Sequence, residues 1–290
     1  MLKPVKQPSA PVASLGRISI GIATAFLCIL AVLANYPRAN AGHLDTHDCS
    51  SVAELPSTVS EASSKALEAP IKLLSWNIQK SHTEGWEQDL QKIGVDRDLV
   101  LIQEASIQAD TQGVLPKPMH VAFAAGYTTD SEETGVLTLS AVPPSVECSM
   151  TSWEPWLGTP KATSVTKFAI NDSVDTLMVI NLHAINFTVG LEEFTAQIDA
   201  ISPLLTSHEG PALLAGDFNT WNDARQAHIE DFVTEHELQP VSFTPDDRST
   251  FWDMPLDHIY LRGLRALEAQ TIAVDTSDHN PLLVTLELEL

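Results

Sequence analysis

The chain has 290 residues, and its 16 Lys and Arg against 38 Asp and Glu give a formal net charge of −22. A surface this acidic repels phosphate backbones at long range, which argues against loose, sequence-independent binding to DNA. The length that follows the N-terminal segment is enough for one sizeable domain.

The first 41 residues are predicted to be a targeting segment. Basic residues precede an apolar run over residues 18–34, and Ala-Asn-Ala at residues 39–41 is a pattern of the kind that signal peptidase cleaves. The run is also long enough, at roughly 17 residues, for a single membrane anchor. We therefore expect export to the periplasm, the cell envelope or the medium, either with signal cleavage or with membrane association through residues 18–34.

Residues 42–68 are rich in Ser, Glu, Ala and Thr and have no sustained apolar pattern. This composition predicts a disordered linker in front of a single domain over residues 69–290. Cys49 and Cys148 lie outside the apolar run and can form a disulfide in an oxidising compartment. The sequence leaves two free thiols as an equal alternative.

Short apolar runs bounded by turn residues predict the strands of the domain. They cover residues 71–78, 99–103, 136–140, 165–170, 176–182, 212–215, 257–261, 269–274 and 282–288. An apolar stripe from Leu191 to Leu205 predicts a helix, and residues 223–235 predict another. Several strands show little alternation and some follow one another directly, which favours an α/β fold built as a mixed two-sheet β-sandwich flanked by helices.

Polar side chains stand at the ends of these predicted strands. They are Asn77, Glu104, His183, Asp217, Asn219, Asp257, Asp278 and His279. Each of them taken alone is compatible with a turn or a capping role. In a layered fold, however, side chains at strand ends meet along one edge of the sheets, so we expect a single polar cleft.

In their order and local context these residues resemble the motifs of the endonuclease/exonuclease/phosphatase superfamily, the DNase I-like hydrolases. The motifs are Ser75-Trp76-Asn77-Ile78, Ile102-Gln103-Glu104, Gly216-Asp217-Phe218-Asn219, Leu256-Asp257-His258-Ile259 and Ser277-Asp278-His279-Asn280-Pro281. Residues 181–187 and 260–264 are most similar to the YafD-like bacterial branch. The resemblance runs from about Ile71 to Leu288. It implies a four-layer DNase I-like fold and a phosphodiesterase that depends on Mg²⁺, with Mn²⁺ as a substitute.

The resemblance and phosphoester chemistry together give each polar residue an expected role. Glu104 is the expected direct Mg²⁺ ligand, with Asn77 and Asp278 completing or hydrogen-bonding its coordination shell. Because imidazole titrates near neutral pH, His279 is the expected general base, and Asp257 would accept its other ring N–H.

The remaining polar residues are expected to contact the substrate. Asp217 and Asn219 would orient the attacking water and the scissile phosphate, and Asp217 is the alternative proton acceptor. His183 would protonate the leaving oxygen or bind a phosphoryl oxygen. Asn77 and Lys161 are further predicted substrate contacts; Lys161 stands where nuclease relatives often carry an arginine, and it can meet phosphate only as a point charge.

The predicted substrate is a phosphodiester, either nucleic acid or phospholipid. A nuclease is the first hypothesis, although no loop rich in Lys and Arg with interleaved aromatic residues supports it. A lipid or small-molecule phosphoesterase of the sphingomyelinase type is the second hypothesis. A non-catalytic binding protein of the same fold is the third, and no protein partner is predicted.

Overall fold

The computed structural model describes residues 45–47, residue 49, residues 65–155 and residues 158–289. The predicted targeting segment over residues 1–41 lies outside the described residues. Within the described part of the chain, no helix combines the length and the apolar character needed to cross a bilayer.

The strands and helices follow one another along the chain in a mixed order. The strands are β1 (Asp45–His47), β2 (Ile71–Asn77), β3 (Leu99–Ser106), β4 (His120–Thr128), β5 (Glu133–Ser140), β6 (Val146–Trp153), β7 (Pro160–Ala169), β8 (Thr176–His183), β9 (Ala212–Asp217), β10 (Gln239–Pro240), β11 (Thr250–Phe251), β12 (Met254–Pro255), β13 (Asp257–Arg262), β14 (Leu264–Thr271) and β15 (Leu282–Leu288). The α-helices are α1 (Trp86–Ile93), α2 (Thr111–Val114), α3 (Glu192–Asp199), α4 (Ser202–Ser207) and α5 (Asp223–Glu235).

Most of the strands belong to two mixed sheets. One sheet has the order β1-β6-β7-β8-β9-β13-β10, the other has the order β14-β15-β2-β3-β5-β4, and β11 and β12 form a separate short hairpin. The two sheets share one apolar core, in which Leu73 and Leu101 of the second sheet pack with Val179, Leu213 and Ile259 of the first. This arrangement confirms the predicted two-sheet sandwich.

Helices cover the outer faces of both sheets, which completes the four layers. Phe194 of α3 and Ile229 of α5 pack on the first sheet, and Trp86 and Leu90 of α1 pack on the second. Every residue of β8 is buried. A strand covered on both faces needs apolar side chains in both directions, which explains why the sequence of β8 does not alternate.

Several local features differ from the sequence-based expectation, among them β6, which was not predicted, and β14, which begins five residues earlier than predicted. The single helix predicted along Leu191–Leu205 is divided into α3 and α4, and Pro203 lies in the first turn of α4. Proline has no N–H to donate and its ring clashes with the preceding turn, so it favours a new helix start over a continuous helix. Strand β4 was not predicted, because this edge strand is largely exposed and rich in Ala and Gly.

Parts of the predicted disordered linker over residues 42–68 are instead held against the domain. Asp45–His47 pair with β6, and Cys49 forms a disulfide with Cys148. Leu67 is buried and bridges to Ile170. These contacts give the segment backbone and apolar partners that its composition does not indicate, and the disulfide resolves the alternative that the sequence left open.

Candidate active site

The sheet topology brings the predicted site residues to one edge of the sandwich. Strands β8 and β9 are parallel and place His183 beside Asp217, and the antiparallel strand β13 places Asp257 on the other side of Asp217. In the second sheet β2 and β3 are parallel, so Asn77 and Gln103 end side by side. The backbone pairing of the strands is therefore enough to place these polar side chains close together.

His279 and Asp257 form a buried hydrogen-bonded pair. His279 Nδ1 lies 2.7 Å from Asp257 Oδ2, and Trp76 Nε1 donates to the carbonyl oxygen of His279 at 2.8 Å. Burial alone would lower the pKa of His279, but the carboxylates of Asp257 and Asp217 outweigh it and raise the pKa to about 10. The imidazole is thus oriented from two sides, with Nε2 directed toward Asp217.

Asp217 is the central carboxylate of the site. Its Oδ2 accepts from Asn77 Nδ2 at 3.0 Å and its Oδ1 accepts from the backbone N–H of Asn219 at 3.0 Å. His183 Nε2 and His279 Nε2 approach Oδ2 to 3.5 and 3.9 Å. Burial raises the pKa of Asp217 and Asp257 adds to the rise, whereas His279 acts in the opposite direction.

Lys161 and His183 stand on the other side of Asp217. Lys161 Nζ lies 2.9 Å from His183 Nε2, and because an ammonium has only donors, the imidazole nitrogen accepts. Burial, followed by the charge of Lys161, holds the pKa of His183 well below its ordinary value. The positive charge of this pair is therefore carried by Lys161, which also lies 3.9 Å from Glu104 Oε1.

Glu104 reaches the mouth of the site through an irregularity in β3. The pairing of β3 with β5 shifts register between Ile102 and Ala105, and Glu104 has a φ of 51° at this point. Such a bulge redirects the side chain. The Glu104 carboxylate is 22% exposed, and burial raises its pKa, with Asp217 and Asp278 adding to the rise against Lys161.

The donor set around Glu104 fits a hard divalent cation. Burial raises the pKa of Glu104 and the carboxylates of Asp217 and Asp278 add to the rise, which is the electrostatic condition that a bound cation relieves. Asn77 Oδ1 accepts one hydrogen bond, from Gln79 N, and an amide oxygen has a second lone pair. Asp278 itself is exposed beside the site.

A second group of potential ligands is less suited to a metal. Ligand atoms of Asp217, Asp257 and His279 lie within 4.8 Å of one another. The atoms of Asp257 and His279 already share a hydrogen bond at 2.7 Å, so the closest pair is occupied. This group is therefore better suited to proton transfer, and the surroundings of Glu104 could hold a metal.

The Asn219 side chain is partly engaged within the protein. Its amide Nδ2 donates to the carbonyl oxygen of Ala184 at 3.0 Å, and the residue is buried with a φ of 49°. In this position the backbone N–H of Asn219 orients Asp217, while its side chain joins the loop that follows β8. The structure thus brings Asn219 to the site as a support for Asp217.

Arg225 was not recognised in the sequence, because a basic residue in a polar helix looks like a solvent-exposed one. Its buried guanidinium donates to the carbonyl oxygens of Ile185 at 2.7 Å, Asn186 at 2.8 Å and Asn219 at 2.9 Å. These carbonyls belong to the loops that follow β8 and β9. Arg225 therefore fixes the two loops that leave His183 and Asp217.

Two further supports are polar residues close to the recognised motifs. Ser277 Oγ donates to the carbonyl oxygen of Asn77 at 2.6 Å and accepts from the N–H of His279 at 3.1 Å. Buried Glu154 accepts from the N–H groups of Asn186 and Phe187. The Ser277 contact lies within a motif quoted above, whereas no signal in the sequence marks Glu154.

The comparisons with known proteins agree with this geometry. Residues 74–279 match the sequence profile of the Endonuclease/Exonuclease/phosphatase family. A UPF0294 protein of Vibrio parahaemolyticus is 38% identical over 220 residues, which cover 75% of this chain and 78% of that protein.

Solved structures of the same fold are more distant in sequence. An endonuclease/exonuclease/phosphatase family protein from Leptotrichia buccalis has a TM-score of 0.59 at 14% identity and covers 75% of this chain and 100% of its own. The catalytic domain of human Nocturnin with bound sulfate has a TM-score of 0.58 at 16% identity, with 77% and 96% covered. At these identities the solved structures establish the fold alone. On the strength of the profile match and the UPF0294 relative, the chain belongs to the Endonuclease/Exonuclease/phosphatase family.

Proposed function

We propose that the chain is a Mg²⁺-dependent phosphodiesterase that hydrolyses its substrate with an activated water. One observation carries the proposal: His279, backed by Asp257, faces Asp217 across 3.9 Å, a gap too long for a direct hydrogen bond. A water in contact with both atoms would be oriented for attack. Glu104 and Lys161 lie on the far side of Asp217, where the phosphoryl oxygens would be held.

The metal would be bound by Glu104, with Asn77 and Asp278 as further or water-mediated ligands. Mg²⁺ at this place supplies the positive charge that polarises a phosphoryl oxygen, and Mn²⁺ would substitute. The clustered carboxylate oxygens support a hard cation over a softer one.

The protein's own residues would move the protons. As the water oxygen bonds to phosphorus and one ester P–O bond breaks, His279 Nε2 accepts the proton of the water and Asp257 stabilises the imidazolium. The field of Asp257 and Asp217 keeps the imidazole protonated at neutral pH in the metal-free protein, and positive charge bound among the carboxylates opposes that field. Asp217 is the alternative acceptor for the same proton.

Lys161 is better suited than His183 to donate a hydrogen bond to the leaving group. Lys161 can donate to a phosphoryl or leaving oxygen, whereas His183 is neutral and accepts from the lysine. We therefore assign His183 the role of orienting Lys161, which replaces the expectation that it protonates the leaving oxygen.

There are two candidate substrate classes. Nuclease activity is the first, because the family contains nucleases by name. A lipid or small-molecule phosphodiester is the second, and the net charge of −22 favours it because a polyanion is repelled by an acidic protein. Export, with or without an anchor at residues 18–34, is proposed for either substrate class and rests on the sequence.

Hydrolysis of bis-p-nitrophenyl phosphate tests the proposal independently of the natural substrate. We expect turnover with Mg²⁺, none in EDTA, and a loss of about 10²- to 10⁴-fold in His279→Ala. The matched control is His120→Ala, which removes an exposed histidine from edge strand β4. Turnover that persists in EDTA, or a His279→Ala variant as active as the wild type, would refute the mechanism. Parallel assays on plasmid DNA, RNA and sphingomyelin assign the substrate class.

A further inference from the structure

Five apolar side chains surround the site on one side, and we call them the aromatic rim. They are Phe187, Val189, Trp221, Phe251 and Trp252. Phe187 and Val189 are 55% and 70% exposed, and Phe251 and Trp252 are 46% and 79% exposed. The rings of Trp221 and Phe251 lie 6.3 Å apart and those of Phe251 and Trp252 lie 4.8 Å apart. The rings of Trp221, Phe251 and Trp252 thus form a connected apolar surface, and Phe187 and Val189 add exposed apolar area on the loop that follows β8.

The aromatic rim belongs to the loops that carry the catalytic-type residues. Phe187 and Val189 follow His183, Trp221 follows Asn219, and the β11–β12 hairpin immediately precedes Asp257.

Hydrogen bonds hold these loops together. Trp221 Nε1 donates to the carbonyl oxygen of Asn186 at 3.3 Å, and Asn280 N donates to Ser249 Oγ at 3.1 Å at the base of the hairpin. The rim therefore has a fixed place beside the site.

The hairpin tip carries its tryptophan at an unfavourable position. Trp252 and Asp253 have φ values of 48° and 65°, the left-handed region that bulky residues rarely adopt. Trp252 is also the most exposed large apolar side chain among the described residues. Neither the backbone conformation nor the exposure helps the folded state, so the stability of the fold does not account for tryptophan here.

Charge decides which partner suits this surface. Residues 184–190, 218–223 and 249–256 contain no Lys or Arg, and Asp223 and Asp253 are exposed among them. The flanking Arg225 is buried and bound to backbone carbonyls, and the flanking Arg248 is paired with Asp246. Nucleic acid and anionic lipid both need basic side chains at their binding surface. A zwitterionic headgroup instead presents a quaternary or primary ammonium, which carboxylates and aromatic faces attract.

We propose that the aromatic rim inserts into a zwitterionic phospholipid surface and that the headgroup phosphodiester of that lipid is the substrate. This inference rests on the phosphodiesterase function proposed above. Tryptophan and phenylalanine partition to the level of the lipid headgroups, where an apolar body and a polar edge are both satisfied. Insertion of the rim brings the headgroup phosphate toward Lys161 and Glu104.

The test uses the full chain with vesicles of phosphatidylcholine that carries brominated acyl chains, which quench tryptophan fluorescence by contact. We expect the wild type to be quenched and to hydrolyse the headgroup ester. Trp252→Gly should lose most of the quenching and about tenfold in vesicle hydrolysis, from the lost apolar burial. Because glycine suits a positive φ, the same variant should keep its thermal midpoint and its turnover of soluble bis-p-nitrophenyl phosphate.

The matched control is Val174→Ser, which removes a side chain that is 74% exposed in the turn between β7 and β8, at the opposite end of β8 from His183. It should behave as the wild type. Equal quenching in Trp252→Gly and wild type, or no quenching in either, would overturn the inference. So would single-stranded DNA hydrolysis that falls tenfold in Trp252→Gly, because the rim would then stack bases. If the wild type did not hydrolyse bis-p-nitrophenyl phosphate at all, the proposed function itself would be wrong.

Discussion

Lys161 Nζ lies 2.9 Å from His183 Nε2 and 3.9 Å from Glu104 Oε1, so a single ammonium bridges an imidazole and a carboxylate at the mouth of the site. Lysine is the only one of the three that carries positive charge in this arrangement. Lys161 is therefore the hydrogen-bond donor of this pair, and His183 is the acceptor.

Lys161→Met should therefore reduce kcat for bis-p-nitrophenyl phosphate by about 10²-fold, the usual effect of removing one donor to a charged transition state. His183→Gln should reduce it less, because an amide oxygen can still accept from the ammonium. Steady-state kinetics on both variants checks the order. A larger loss in His183→Gln than in Lys161→Met would return the proton-donor role to His183.

Glu104→Gln should abolish the response of the protein to Mg²⁺. A ligand that binds only the folded state raises the thermal midpoint, so the wild type should show a concentration-dependent shift and the variant none. Differential scanning calorimetry with and without Mg²⁺ measures both. Glu268→Gln, an exposed position on β14, is the control and should shift as the wild type does. A full shift in Glu104→Gln would place the metal elsewhere.

Arg225→Met should lower the free energy of unfolding by about 3 kcal/mol, because three buried carbonyls lose a charged donor. In the fraction of the variant that still folds, kcat should fall more than KM rises, because the guanidinium no longer holds the loops that follow His183 and Asp217. Arg225→Lys should recover part of both. Urea titration and kinetics on the same preparations separate the two effects, and an unchanged kcat in Arg225→Met would limit the residue to stability.

The sequence was enough to predict that Asn77, His183, Asp217 and Asp257 lie near one edge, because the ends of neighbouring strands meet there, whereas Glu104 lies inside β3 and reaches the site through a bulge. The meeting of strand ends says nothing of residues that act from helices or edge strands. Arg225 and Glu154 bind backbone carbonyls and N–H groups of distant loops, and no pattern near either residue encodes those partners.

Two further features depend on long-range contacts that sequence patterns do not reveal. Residues 42–68 lack an apolar pattern, yet Cys49 is held by a disulfide and Leu67 by backbone hydrogen bonds and core packing. The side-chain contact of Asn219 is a second example. Its Nδ2 donates to the carbonyl oxygen of Ala184 from a backbone with positive φ, and a backbone angle of this kind is set by the fold around it.

Acid should destabilise the fold through His258. Burial, followed by the charge of Arg248, lowers the pKa of His258 from 6.5 to about 3. Below pH 6.5 the unfolded chain binds this proton and the folded chain does not, so stability falls as the pH is lowered from 6.5 toward 3. The loss from this residue between pH 7.5 and pH 5 is about 2 kcal/mol.

Urea unfolding of His258→Gln at the two pH values measures that contribution. The variant should be less stable than the wild type at pH 7.5 and should lose less on acidification. His208, whose pKa burial lowers to about 4, acts in the same direction and leaves a residual slope. His120→Gln is the matched control on the exposed edge strand. An identical pH slope in His258→Gln and wild type would contradict the buried neutral imidazole.

The hydrogen bond from Trp76 Nε1 to the carbonyl oxygen of His279 joins residues that are 203 positions apart. A ribosome-bound chain whose His279 has not yet emerged lacks the residue that we propose as general base, the neighbouring Asp278 and the acceptor for the indole. On the proposed mechanism, activity would therefore be acquired only when the end of the domain is synthesised, and a chain that stops before His279 would be inert.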